Sequence, residues 1–207
     1  LMRWTGRGRW RLAYRLLSAQ IPTLLDRVAR VERERVHAFD RAERDPLTGA
    51  LNRRGLARLL ASLDASGPVT VAVLDSDRFK AFNTTRGLEY GDRALQAEVR
   101  RLQAIPGAWV ARWGGDEIVV VFPGVAIETA VRELEAARRD IDRTWLSRGQ
   151  GWHGQKPVDI PTISIGVVFA QSWPGPSALV GFLRLLRRAD EVQYVAKQQR
   201  NAVAYED

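Results

Sequence analysis

ARWGGDEIVVVF, residues 111–122, sets two β-rich runs around a pair of glycines and follows the glycines with two consecutive acids. Glycines between such runs mark a hairpin, because a two-residue turn of primed type needs positive φ without a side-chain penalty. Gly114-Gly115 is therefore the expected turn. A hairpin has no use for Asp116 and Glu117. One acid at a strand start is an ordinary solvated edge charge, and two adjacent acids place one side chain on each face of the sheet. The local sequence leaves their purpose open.

Outward from the hairpin, VTVAVLD (Val69–Asp75) is a short apolar run with little alternation, as expected of a central strand buried on both faces. Further strands are expected at Trp109–Trp113, Ile118–Phe122, Thr162–Phe169 and near Ala202–Tyr205. Helical patterns cover Arg53–Leu63, Tyr90–Ile105, Ala126–Trp145 and Ser177–Lys197, and SRGQGWHGQKP (Ser147–Pro157) reads as loop. Helices alternate with strands around one hairpin. The expected class is an α/β sandwich with a central mixed, mainly antiparallel sheet flanked by helices. The domain begins at Asp45-Pro46, where proline disfavours helix for the residue before it, and runs over 45–207. Residues 1–44 form a basic segment. Within it Ile21, Leu24, Val28, Val31, Arg35, Ala38 and Ala42 alternate spacings of three and four, either a seam that pairs two helices or an ordinary amphipathic face. Trp4, Trp10 and Tyr14 stand among arginines before it.

Composition narrows the chemistry. With 207 residues, 45% apolar and 27% charged, the chain can bury a real core. It has no cysteine, and its two histidines, His37 and His153, are too few for a histidine-rich site, so a metal would be held by oxygen. No run of about 18 apolar residues and no signal peptide is visible, which predicts a soluble, cytoplasmic chain and leaves open a membrane anchor or sensory domain beyond this sequence. The formal charge is +8, but residues 1–44 carry eleven arginines against five acids, a surplus of six. The remainder is nearly balanced and holds no recognisable nucleic-acid module, so no polynucleotide partner is expected.

A second acidic cluster, LDSDRFKAFN (Leu74–Asn83), begins where the buried strand ends, and strand ends are where α/β sheets place ligands. If the hairpin lies beside that strand, Asp75 and Asp116 face each other across one gap. Two buried carboxylates raise each other's pKa unless a cation sits between them, which points to a magnesium-type site. The plainer alternative is that Asp75 and Asp77 cap the helix that starts at FKAFN.

Taken together, DPLTGALNRR, DSDRFKAFNTTRGLEYGD, ARWGGDEI, ISIGV and ADEVQYVAK, in this order between Asp45 and about Tyr205, resemble the signature blocks of the GGDEF family, the diguanylate cyclases. The resemblance implies a fold like that of nucleotidyl cyclases and polymerase palm domains. It implies condensation of two GTP into cyclic di-GMP and two pyrophosphates, with two Mg2+ (or Mn2+) ions per GTP and a homodimer presenting one nucleotide from each subunit. By the same resemblance Asp75, the Ser76 carbonyl, Asp116 and Glu117 belong to the metal site, and Asp116 is the proton acceptor. Gly114 and Gly115 let GTP approach the backbone. Asn83 and Asp92 match the guanine readers. Lys80, the backbone amides of Arg78 and Phe79, and Lys197 and Arg200 match phosphate contacts.

The chain departs from the family at Leu88 in place of a histidine, Thr84 in place of an aspartate, Ile118 in place of the motif's last phenylalanine, and a Lys197–Asn201 block one residue short and without its glycine. At the family's inhibitory product site, Ile105 and Ala108 replace an arginine and an aspartate, so no such site is expected. These departures leave an alternative, a degenerate module that binds GTP or a partner without turnover.

Overall fold

The structure, a computed structural model, describes residues 20–33, 42–149 and 161–206. The chain divides into two compact units, Leu1–Ala42 and Glu43–Asp207. In the first, residues 20–33 are helical, and Ile21, Leu24, Val28 and Val31 are 52–65% exposed. Arg35, Ala38, His37, His153, Trp4, Trp10 and Tyr14 lie outside the described residues. Among the described residues no helix is long and apolar enough to cross a membrane.

The second unit is built around β1 (Val69–Ser76), whose residues Val69–Leu74 are all buried. It pairs antiparallel with β3 (Glu117–Pro123) on one side and with β4 (Ile163–Ala170) on the other. Outside these lie β2 (Trp109–Gly114), antiparallel to β3, and β5 (Val203–Glu206), parallel to β4, in the order β2-β3-β1-β4-β5. The sheet is thus mixed and mainly antiparallel, as expected.

Alternation along the strands sorts their side chains into two cores. Ala72, Leu74, Val120, Phe122 and Ile165 pack against Val99 and Leu102 of α3 (Leu88–Gln103) and Leu134 and Ala137 of α4 (Ile127–Gly149). Val71, Val73, Val119, Val121 and Val168 pack against Leu56 and Leu60 of α1 (Arg53–Ser62) and Phe182, Leu185 and Ala189 of α5 (Ala178–Gln199). Each such Leu or Phe contributes about 1.5–3 kcal/mol by leaving water. Between β1 and α3, the short helix α2 (Phe79–Arg86) stops at Gly87, whose φ of +97° no side-chain-bearing residue adopts easily.

Two local expectations are corrected. The hairpin turn is Gly115-Asp116, not Gly114-Gly115: Gly114 pairs with Glu117, and the ladder shifts register between Arg112 and Gly114, a bulge that absorbs one residue at Trp113. Helix α4 runs to Gly149, so Ser147 and Arg148 are helical rather than loop, there being no breaker before that glycine. At the foot of α3, the Ala108 N–H donates to the Ile105 carbonyl across Pro106-Gly107 (Gly107 φ +75°), the sequence order a type II turn prefers. Ile105 itself is buried in the core.

Helix α5, the crossover between parallel β4 and β5, lies unusually close to the sheet. A Cβ on Gly166 would stand 2.2 Å from the Gln193 backbone nitrogen and 2.3 Å from the Ala189 carbonyl oxygen. Backbone cannot move aside as a side-chain tip can, so Gly166→Ala must lift α5 off β4. We expect a loss of about 3 kcal/mol, read as a fall in Tm of roughly 10 °C by circular dichroism. An unchanged melting curve would show that α5 is not seated there.

Candidate active site

The register of β1 decides which groups meet. Asp75 stands opposite Glu117 in the β1–β3 ladder, and the turn residue Asp116 lies just beyond that last pair. Three carboxylates therefore gather at one end of the central strand. Asp75 accepts a salt bridge from Lys197 Nζ at 2.7 Å, so the structure places this lysine on a carboxylate. Even so, burial, aided by repulsion from Asp116 and Glu117, pushes the Asp75 carboxyl above its ordinary range despite the Lys197 hydrogen bond.

The capping alternative for Asp77 fails. The residue before α2 is Arg78, in the left-handed region at φ 57° and with no side-chain cap bond. Asp77 instead accepts from Thr162 Oγ1 (2.6 Å), Ser164 Oγ (2.7 Å) and the Asn201 backbone N–H (2.9 Å). It ties the end of β1 to the start of β4 and to the turn after α5. The Asp77 N–H also donates to the Thr162 carbonyl at 2.6 Å. In a trans peptide N–H and C=O point in opposite directions, so the Ser76 carbonyl is aimed away from β4, toward the hairpin side where the ladder has ended.

Glu98 is the residue that sequence reading missed. It lies on α3 at 1% exposure, with Ser76 Oγ donating to its carboxyl at 3.0 Å. Burial, with further repulsion from Asp116, Asp75 and Asp77 and against the Ser76 hydrogen bond, raises its pKa to about 8. A signal existed: Gly91, Ala94, Leu95, Val99 and Leu102 mark the buried stripe of α3, and Glu98 falls in its middle.

Beside the acids opens a cleft of about 380 Å³ lined by Phe79, Lys80, Asn83, Thr84, Leu88 and Asp116. Asn83 Oδ1 is buried there without a hydrogen-bond partner, an acceptor waiting for a donor. Its position depends on Gly91, where a Cβ would come within 1.9 Å of that oxygen. Both substituted positions, Thr84 and Leu88, face the cleft, and Leu88 is 74% exposed. Asp92 is exposed on the first turns of α3 next to Gly91 and does not line the cleft. Arg200 is the exposed C-cap of α5; it and Asn201 have φ of 56° and 46°, so the missing glycine is met by two residues held in left-handed territory.

The hairpin that carries Asp116 is braced from outside. Arg112 donates through Nε and Nη2 to the Gly115 carbonyl (2.9 and 2.7 Å) and through Nη1 to the Asp45 carboxylate. Burial would raise the Asp45 pKa, but hydrogen bonds from Thr48 and the Arg112 guanidinium outweigh it and hold the group low. Arg53 donates to the Trp113 carbonyl and lies 4.8 Å over the indole, which meets Phe182 edge-on. The DPLTGALNRR block thus sets the hairpin's position.

Among the described residues no three carboxylate or histidine side chains converge into a ready-made metal cage. The donor set nevertheless fits Mg2+, which is commonly held by one or two carboxylates with substrate phosphates and water completing the shell. Here Asp75, Asp116 and the outward-aimed Ser76 carbonyl supply hard oxygens, with Glu117 adjacent.

Comparison with known proteins follows the same lines. The sequence matches the family described as Diguanylate cyclase, GGDEF domain, over residues 42–202. The response regulator PleD of Caulobacter vibrioides is 35% identical over 199 residues, covering 90% of this chain and 42% of that protein. Diguanylate cyclase DosC of Escherichia coli is 30% identical over 195 residues, covering 89% of this chain and 40% of DosC. The chain thus spans less than half the length of these relatives. A crystal structure of the coiled coil and GGDEF domain of DgcB from Caulobacter crescentus, in complex with c-di-GMP, superposes with a TM-score of 0.73 at 25% identity, covering 92% of this chain and 99% of that one.

The raised Glu98 pKa makes stability depend on pH. A carboxyl that holds its proton more tightly folded than unfolded stabilises fully below its unfolded value, near 4.5, and loses that contribution as pH rises through about 8. In metal-free buffer, the wild-type Tm should therefore fall relative to Glu98→Gln between pH 5 and pH 8.5. Parallel Tm curves for the two proteins would show that Glu98 is ionised throughout.

Proposed function

The chain belongs to the GGDEF family, and from that premise we propose that it is a diguanylate cyclase, joining two GTP into cyclic di-GMP with release of two pyrophosphates. The observation that carries the reading is the cleft itself, where the unpartnered Asn83 Oδ1 and the turn carboxylate Asp116 line one cavity. Asn83 accepts from the amino donors of guanine, a pattern adenine does not offer; Asp92, outside the cleft, is assigned to the same edge of the base by the family resemblance alone. Lys80 meets phosphate, as do the Arg78 and Phe79 amides at the uncapped start of α2, where N–H groups and helix dipole favour an anion. Gly114 and Gly115 keep the hairpin low enough for the triphosphate to cross it.

Asp75, Asp116, Glu117 and the Ser76 carbonyl would hold two divalent cations, Mg2+ or Mn2+, which supply charge neutralisation on the triphosphate and Lewis-acid activation. Asp116 accepts the proton of the attacking 3′-hydroxyl, whose oxygen bonds to the α-phosphorus of the second nucleotide as pyrophosphate leaves. Lys197, held on Asp75 in the structure, would turn to phosphate once GTP is bound, and Arg200 would add a second positive group at the same helix end.

The test is incubation with GTP and Mg2+ followed by chromatography of the products. Cyclic di-GMP and pyrophosphate should appear in a ratio of one to two. Asp116→Asn should lower turnover at least a thousandfold, as loss of a charge that holds metal and takes a proton, with Tm unchanged. GTP binding without product in the wild type would instead establish a non-catalytic nucleotide-binding module.

A single cleft holds one nucleotide, so the reaction needs two copies of the domain face to face. The exposed stripe Ile21, Leu24, Val28 and Val31 has the three-four spacing with which helices pair, and we assign it to the homodimer. Removing residues 1–42 leaves the compact catalytic unit intact but should weaken dimerisation. Specific activity should then fall more steeply on dilution than it does for the whole chain. Identical dilution curves would reduce the helix to a linker.

A further inference from the structure

Glu98 has no part in the reaction as described, and the packing around it is apolar. Its stripe neighbours on α3 are Ala94, Leu95, Val99 and Leu102, all buried. A leucine would satisfy that environment. The polar partner that the acid meets is Ser76 Oγ, 3.0 and 3.2 Å from its two oxygens.

Ser76 is where β1 ends, and its neighbours are anchored in different directions. Asp75, one residue back, projects to the opposite face and bonds Lys197 of α5. Asp77, one residue on, is fixed to Thr162, Ser164 and Asn201. The Ser76–Asp77 peptide is held on its N–H side by Thr162, which aims the Ser76 carbonyl at the hairpin side. Rotation of that carbonyl about the strand axis is then restrained on the third side by the Ser76 side chain, and the group that grips this side chain is Glu98.

We propose that Glu98 is a positioning residue for the cation site, acting through the Ser76 hydroxyl to fix the direction of the Ser76 carbonyl. This rests on the reading of Asp75, Asp116 and Ser76 as cation ligands. Partners that orient a ligand commonly change metal affinity ten- to a hundredfold when removed. An isosteric amide keeps an acceptor for the hydroxyl and should retain the effect; an apolar side chain of similar volume should not.

The experiment titrates Mn2+ into the nucleotide-free full chain, following the free-ion signal by electron paramagnetic resonance, with Tm measured alongside. Glu98→Leu and Ser76→Ala should each weaken Mn2+ binding about tenfold. The double substitution should be no weaker than either one, Glu98→Gln should stay within about threefold of wild type, and Glu98→Leu should melt no lower than wild type. Ser76→Ala, which removes one oxygen and leaves the backbone carbonyl in place, carries the test if the leucine variant does not fold. Wild-type affinity in both single variants overturns the proposal, as does an additive double substitution. If the wild type itself binds no Mn2+, the cation-site reading falls, and this proposal with it.

Discussion

Everything at the candidate site hangs on one register. Asp75 opposite Glu117 is the last pair of the β1–β3 ladder, and a slip of one residue would send the side chains of β1 to the wrong faces, burying Asp75 among leucines and valines. Two features hold the register in place. Both faces of β1 and β3 are apolar, so the penalty for a shifted pairing falls on the acids at the strand end, Asp75 and Glu117, which it would misplace. The bulge at Trp113 sets the frame of the turn, and the Arg112 and Arg53 guanidinium groups grip the carbonyls on either side of it. These residues touch no reacting atom in the proposed chemistry, yet they decide where the hairpin carboxylates point.

The second constraint is electrostatic. Asp75, Asp77, Glu98 and Asp116 repel one another, and the fold answers each differently. Asp77 is surrounded by three donors, Asp75 takes the Lys197 ammonium, and Glu98 holds on to its proton. Asp116 keeps some access to water at the turn. Two buried side-chain polar atoms lack a partner among the described residues, Asn83 Oδ1 and Gln193 Nε2, and the first of them lies where the cleft opens, as expected for a group whose partner is a ligand.

The central strand, the hairpin, the mixed sheet and the meeting of the two acidic clusters were legible because they rest on patterns of period two, turn chemistry and strand ends, all local in sequence. Signature blocks then carried the cleft residues. What the sequence concealed was non-local. The turn frame depends on which residue bulges, and the carbonyl of the bulged Trp113 is held by Arg53, some sixty positions away. Asp77 looked like a helix cap because Thr162 and Ser164 are brought to it only by the β1–β4 pairing. Glu98 was written on the apolar stripe of its own helix, but an acid at such a position passes for a surface residue until its neighbours are known. Lys197 read as a phosphate contact, and its pairing with Asp75 comes from the placement of α5 against the sheet, which rests on the absence of a side chain at Gly166.

The Lys197–Asp75 bridge also separates two demands for positive charge. A cluster of acids at the end of a sheet could have made the native state dependent on a borrowed ion, so that a newly synthesised chain would wait for magnesium before it could close. An ammonium carried on the polypeptide's own last long helix removes that dependence, since the counter-charge arrives with α5 as it docks. Docking of that helix therefore brings Asp75 a counter-charge without an ion from solution. Any cation that takes Asp75 as a ligand has first to displace a residue the protein supplies itself.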